Sequence, residues 1–299
     1  MIAAAPIDAL RLIDRGAREG VPGVLMTLTA ITGSASRAIG TQMAVLADGR
    51  QIGSFSGGCI ETAIAAEAME VLAAGVPRTV RYGVGSPYID VRLPCGGGID
   101  VLFTPQPDPA RVRAALARLD QRQPATLALG EHVQHYAPPL RLIALGHGED
   151  LRALVRLARG FGVDVCAYAP LPDCAGDDVI LPLLTRTHLP ALTGDAWTAI
   201  VFVFHDRDWE DCLLPQALAL PAYYHGAVGS HRTHQARVDR LRAAGVPAAR
   251  IDALRGPIGV IPATRNPATL ALSILAELVQ DYEACAGRMA WQPGAPVRA

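Results

Sequence analysis

Apolar residues recur along this chain in two rhythms, one of helical spacing and one of strand length. Residues 1–20 interleave apolar positions with Asp8, Arg11, Asp14, Arg15, Arg18 and Glu19, the pattern of a surface helix rather than an export signal. Residues 24–31 form an apolar run of strand length. Residues 43–47 and 51–55 then flank Asp48-Gly49, which predicts a tight hairpin. Helical spacing returns over residues 60–74 through Ile60, Ile64, Ala68, Val71 and Leu72, and Gly75 and Pro77 close that helix. Strands are predicted at 79–82 and 99–103 and a short helix at 110–119. Pro124, Pro138 and Pro139 surround one further strand, 126–129.

From Arg141 the rhythm becomes an alternation. Strands at 142–145, 163–168 and 199–204 are separated by helices at 150–159 and 209–220. A short strand near Tyr224 runs into a helix at 233–244, and 268–284 is a last amphipathic helix. Such alternation predicts a parallel, doubly wound sheet. The expected fold class is therefore α/β, with a mixed α/β domain over residues 1–122, a linker over 123–139 and a Rossmann-like domain over 140–299.

Composition narrows the function classes. Lys plus Arg number 27 against 28 Asp plus Glu, a net charge of −1, so no general basic field argues for nucleic acid. Charged, glycine or proline residues interrupt every apolar run short of a membrane span. The six cysteines, 59, 95, 166, 174, 212 and 285, show neither CxxC nor Cys/His finger spacing, so no disulfide framework or zinc ribbon is indicated. A cytoplasmic protein with reduced thiols is expected.

Two of those cysteines sit among glycines: Cys59 after Ser54-Phe55-Ser56-Gly57-Gly58, and Cys95 before Gly96-Gly97-Gly98. A cysteine that only fills a core has no need of such neighbours, whereas one that meets a bulky ligand needs open backbone around it. Cys59 also precedes a helix, whose positive end favours the thiolate. Glu61, in the first turn, needs only that dipole as its explanation.

In the second half, Gly146-His147-Gly148 lies between a strand and a helix, the context of a phosphate-binding turn. Leu151 replaces the third glycine, Glu149 and Asp150 add negative charge, and the next strand lacks a carboxylate at its tip unless Asp173 reaches back. These features weaken an NAD(P) site. Gly229 and Ser230, with Arg232 and Thr233, suit an anion at a helix start. His231 and His234 are i, i+3 neighbours, but without a ligand partner at a telling spacing no metal site is expected.

The two cysteine motifs, with Gly226-Ala227-Val228-Gly229-Ser230-His231-Arg232-Thr233, Gly256-Pro257-Ile258-Gly259 and Ala271-Leu272-Ser273-Ile274-Leu275-Ala276-Glu277, resemble the XdhC/CoxF family over about residues 24–279. Gly33-Ser34-Ala35-Ser36-Arg37 looks like that family's first loop, with Ser36 where proline is usual. Two departures are Phe204-His205-Asp206 in place of Thr-His-Asp, and Gly259-Val260-Ile261-Pro262-Ala263 in place of a Gly-Leu-Asp-Ile-Gly-like stretch. The resemblance implies an accessory protein that binds molybdenum cofactor, as molybdopterin or its cytosine dinucleotide, and assists its sulfuration. It also implies delivery to a xanthine dehydrogenase-type apo-hydroxylase, with a cysteine desulfurase as a further partner and a homodimer as an open alternative.

On that reading Cys59 and Cys95 are the chemical residues, and Arg37 supplies a cation for the cofactor's phosphate. Gly57, Gly58, Gly96 and Gly97 offer backbone N–H groups, while Gly146, Gly148, Gly229 and Ser230 are the second-domain candidates. Two other functions stay open: an NAD(P)-dependent oxidoreductase, and a non-catalytic adaptor docking a hydroxylase to a cysteine desulfurase.

Overall fold

A computed structural model describes residues 6–58, 60–86, 96–171, 173–174 and 179–290. Its contacts separate two units, one running to Pro138 and the other from Pro139 to Arg288. The first unit contains α1 (Pro6–Glu19), β1 (Gly23–Thr32), β2 (Gln42–Leu46), β3 (Gln51–Ile52), α2 (Glu61–Ala74), β4 (Arg78–Gly83), β5 (Gly98–Pro105), α3 (Pro109–Asp120), β6 (Ala125–Leu129) and β7 (His132–Tyr136). Its five-stranded sheet has the order β3-β2-β1-β5-β4, and every neighbouring pair is antiparallel.

The largely apolar run of β1 follows from cover on both faces. Val24, Met26 and Leu28 pack with Ile60, Ile64, Ala68 and Val71 around α2. Leu25 points the other way, into a cluster with Ile7, Leu10 and Ile13 of α1 and Val112 and Leu116 of α3, as the period of two requires.

Register sets where the loops emerge. Thr32 ends β1 opposite Gly98, which also faces Gly83 at the end of β4. Gln42 opens β2 opposite Thr27, and Ile52 ends β3 opposite Ala44. Loop 33–41, loop 53–60 and the β4–β5 connection therefore leave the sheet at one end.

Residues 125–136, expected within a linker, instead form the β6–β7 hairpin. Leu127, Leu129 and Tyr136 join the α1/α3 cluster. A buried polar chain fastens the hairpin to the sheet: the Tyr136 hydroxyl donates to Gln42 Oε1 (2.9 Å), and Gln42 Nε2 donates to Thr27 Oγ1 (2.9 Å). Burial pushes the Tyr136 hydroxyl well above its usual pKa, so this donor stays protonated. The flanking prolines mark the hairpin's ends, not an open connection.

The second unit contains β8 (Arg141–Gly146), α4 (Gly148–Gly160), β9 (Asp164–Pro170), β10 (Ile180–Leu183), β11 (Thr198–Val203), α5 (Arg207–Ala217), β12 (Tyr224–Ala227), α6 (His231–Ala243), α7 (Ala248–Asp252), β13 (Leu254–Arg255) and α8 (Pro267–Ala290). Its six strands run parallel in the order β10-β9-β8-β11-β12-β13. Counted within the unit this is the order 3-2-1-4-5-6 of a Rossmann fold, in which the order of strand addition reverses between β8 and β11.

Helices cover both faces of that sheet. Leu142, Ala144, Val201 and Val203 pack against Leu154 of α4 and Ile274 and Leu278 of α8. Ile143, Leu145, Ile200 and Phe202 pack against Leu213 of α5 and Val238 of α6. A buried ion pair locks α5 to α6: Arg237 donates to both Glu210 oxygens (3.0 and 2.8 Å) and to the Val228 carbonyl (2.9 Å). Among the described residues, no helix is long and apolar enough to cross a membrane.

Candidate functional site

Helix α2 starts without a side-chain N-cap; Ile60 precedes it with no capping bond. Glu61 takes over the task by folding back onto the preceding loop. Oε1 accepts from the Ser54 hydroxyl (2.8 Å), the Phe55 N–H (3.0 Å) and the Ser56 N–H (2.8 Å). Oε2 accepts from the Ser56 hydroxyl (2.7 Å) and the N–H groups of Gly58 (2.7 Å) and Ile60 (3.2 Å). Partial burial pushes this carboxyl up, but the hydrogen bonds from Ser56 and Ser54 outweigh it, and its pKa falls to about 2. Glu61 is thus a charged acceptor throughout the neutral range.

The loop can wrap around one carboxylate because of its glycines. Gly57 and Gly58 have φ of 82° and 124°, values that side chains other than glycine's rarely adopt. No neighbouring atom crowds either position. This corrects the expectation that their N–H groups are offered outward: Gly57 donates to Ser54 Oγ (2.9 Å) and Gly58 to Glu61. The dipole reading of Glu61 is likewise too small. Cys59 lies outside the described residues, as does Cys95, but the residues on both sides of Cys59 give their N–H groups to the same Glu61 oxygen.

Arg81 ties together the roots of the neighbouring loops. Its Nε donates to the Val84 carbonyl, Nη1 to Asp100 Oδ1 and Nη2 to Thr32 Oγ1, each at 2.8 Å. Gly97 is buried, and a Cβ there would collide with the Ser34 carbonyl and approach the Thr32 oxygen at 2.9 Å. It is a packing glycine between two backbones. Gly96 is exposed with φ 70°. Arg37 donates to the Ser36 carbonyl at 3.0 Å on loop 33–41, at the same end of the sheet as the Glu61 loop.

In the second unit, the reversal of strand order leaves the end of β8 beside the end of β11. Gly146 lies flush on β11, where a Cβ would run into the Val203 carbonyl, 2.8 Å from its carbon. Gly148 has φ 71° with open space beside it. His147 precedes α4 without a side-chain capping bond, and its ring lies 5.6 Å from Phe204 and 6.2 Å from His205. Asp150 Oδ2 contacts His205 Nε2 at 2.7 Å, and Glu149 pairs with Arg152 at 3.3 Å. Arg152 also donates to the Asp173 carbonyl (2.7 Å), fastening the turn after β9 to α4.

Ser230 caps α6, accepting from the Thr233 N–H at 3.1 Å beside Gly229, whose φ is 141°. Its hydroxyl serves the helix before any anion. Burial first, and then the charges of Arg237 and His231, lower the pKa of His234. Glu277 of α8 accepts from the Tyr224 hydroxyl (2.8 Å) and the Gly259 N–H, a second carboxylate that holds a glycine loop. Among the described residues no group of three or more His, Cys, Asp and Glu could hold a metal ion.

Sequence reasoning missed the Glu61 clamp and the Arg81 tie. The signal for the first was present: two serines and two glycines directly upstream of a first-turn acid, all short donors that can surround it.

Comparisons with known proteins agree with this architecture. Residues 17–83 match the model of the XdhC and CoxI family, and residues 142–278 that of the XdhC Rossmann domain. The molybdenum cofactor insertion chaperone PaoD of Escherichia coli K12 is 33% identical over 301 residues, covering 92% of this chain and 90% of its own length. The uncharacterized protein YqeB of the same organism is 24% identical over 265 residues, covering 85% of this chain but 43% of its own length. A solved structure described as a xanthine dehydrogenase from Bacillus halodurans superposes with a TM-score of 0.72 over 98% of both chains at 22% identity, which shows a shared fold.

Proposed function

Because the chain belongs to the XdhC and CoxI family, we propose that it is a carrier of molybdenum cofactor that hands this cargo to an apo-hydroxylase of the xanthine dehydrogenase type. The observation that carries the reading is the end-to-end resemblance to PaoD, 33% identical across 92% of this chain. The site geometry supports it by supplying a loop held on both sides of a thiol-bearing position, at the same end of the sheet as a second loop with Arg37.

The cargo is a phosphate-bearing pterin dithiolene that holds a metal with affinity for sulfur. A carrier therefore needs a cation for phosphate and a soft ligand at the metal. Arg37 suits the first task, with Cys59 the main candidate for the second and Cys95 a further one. We extend the proposal to assistance with sulfuration, the replacement of an oxo by a sulfido ligand with a cysteine desulfurase as sulfur source. A cytoplasmic location and a homodimer belong to the same reading.

The NAD(P)-dependent oxidoreductase draws little support from the second unit. Asp150 and Glu149 bring negative charge to the turn where a pyrophosphate would rest, and Leu151 is buried where the third glycine would allow close approach.

Co-expression of the full chain with cofactor synthesis tests the proposal. Purified protein should carry molybdenum and pterin fluorescence, and Cys59→Ala should lower both. Wild-type protein free of molybdenum would remove the carrier reading, and full retention by Cys59→Ala would remove the thiol from it. Cyanide-releasable sulfur on the cargo, with and without a desulfurase, reads the sulfuration step. Nucleotide released by acid identifies the cytosine dinucleotide form.

A further inference from the structure

We propose that Glu61 is a positioning residue for the cargo contact, its carboxylate holding residues 54–58 and 60 in the one shape that fixes both neighbours of Cys59. The inference rests on reading this loop as the cargo contact.

Among the described residues the six partners of Glu61 are all donors, three to each oxygen: two serine hydroxyls and four backbone N–H groups. Only a carboxylate satisfies that set. Glutamine has the same shape but presents an NH₂ on one side. In one orientation it faces the N–H groups of Phe55 and Ser56, in the other those of Gly58 and Ile60. A hydroxyl can rotate and accept instead, whereas a backbone N–H cannot. Aspartate keeps the charge and the favourable place at the helix start but withdraws the carboxylate by one methylene, about 1.5 Å.

Two roles are therefore separable. A residue that merely complements the helix dipole tolerates Glu61→Asp. A clamp with partners on both sides tolerates neither aspartate nor glutamine.

The test uses the full chain co-expressed with cofactor synthesis, with two readouts: molybdenum per protein, and hydrogen exchange of the peptide spanning residues 53–61. Glu61→Gln and Glu61→Asp should each lower molybdenum retention about tenfold and speed exchange at residues 55, 56, 58 and 60 about tenfold or more, as expected when charge-assisted bonds are lost. Exchange along α2 beyond its first turn should stay unchanged.

Wild-type retention and exchange in Glu61→Asp would overturn the proposal in favour of the dipole. Rapid exchange together with full retention would overturn the link between loop and cargo. If wild-type protein carries no molybdenum, the carrier reading fails by itself, while the exchange comparison still judges the clamp. Should the Glu61 variants fail to fold, Ser56→Ala removes one donor to Glu61, together with the acceptor that its hydroxyl offers the Ile60 N–H (3.2 Å), and leaves the other five donors to Glu61 in place. It should change both readouts about threefold, and no change in either would count against Glu61.

Discussion

Helices α2 and α4 begin in the same way and use their acidic residues differently. Each follows a glycine-bearing turn, lacks a side-chain cap and has acid in its first turn: Glu61 in α2, Glu149 and Asp150 in α4. Glu61 turns back on its own loop, so the negative charge organises the turn that precedes it. Asp150 is held by His205 from the end of a different strand, and Glu149 by Arg152. The lesson is that a glycine turn and a first-turn acid do not specify a site. What matters is whether the donors come from the preceding loop itself or from elsewhere in the unit.

The contrast can be broken most forcefully at Gly146. Alanine there overpacks the backbone of β11, and a loss of about 3 kcal/mol in global stability is expected by urea denaturation. Next in size is Glu61→Gln, which strands backbone donors of a half-exposed loop and should lower stability by about 1–2 kcal/mol.

The Glu61 effect carries its own pH signature. The carboxyl lies at about 2 when folded against an ordinary value of 4.5. Its contribution is therefore complete above about 4.5 and is lost as pH falls towards 2. Stability of wild type and Glu61→Gln measured across that window should converge at the acid end. A constant gap would show that the charge plays no part.

Gly58→Ala probes the same loop without a clash, since its φ of 124° is the only obstacle. About 1 kcal/mol is expected, with molybdenum retention falling alongside. Asp150→Asn should shift stability by only about 0.5 kcal/mol, because its partner His205 is 60% exposed. Molybdenum retention should not change with it. Smallest of all, nicotinamide dinucleotides at about 1 mM should leave the melting temperature unmoved. A clear upward shift would mean that the second turn binds phosphate despite its acids.

Much of the fold was legible because burial leaves a period in the sequence. The strands β1, β8 and β11 and the helices α2, α4 and α8 follow apolar patterns of the right length. β10 was missed: its four residues, Ile180-Leu181-Pro182-Leu183, sit at a sheet edge and carry a proline. The two-residue β13 was equally invisible. The strand at 126–129 was legible from its alternation, but its partner β7 was not, and the surrounding prolines read as a linker rather than as the ends of a hairpin.

The site was less legible than the fold. Glycine content pointed to loop 53–60, yet the direction of its N–H groups depends on positive φ at two successive residues, which no spacing reveals. Arg81 and Asp100 lie on neighbouring strands, and their meeting needed the β4–β5 register. The Arg237–Glu210 pair joins residues 27 positions apart, and the sequence offers no reason to expect either charge in the interior.

The chain of Tyr136, Gln42 and Thr27 bears on how this protein can be cut for study. A fragment stopped at residue 122 removes the hydroxyl that Gln42 accepts from, and with it Leu127 and Leu129 from the core beneath α1 and α3. The gene is better divided after Pro138, which keeps the β6–β7 hairpin with the sheet and the α1/α3 core that it completes.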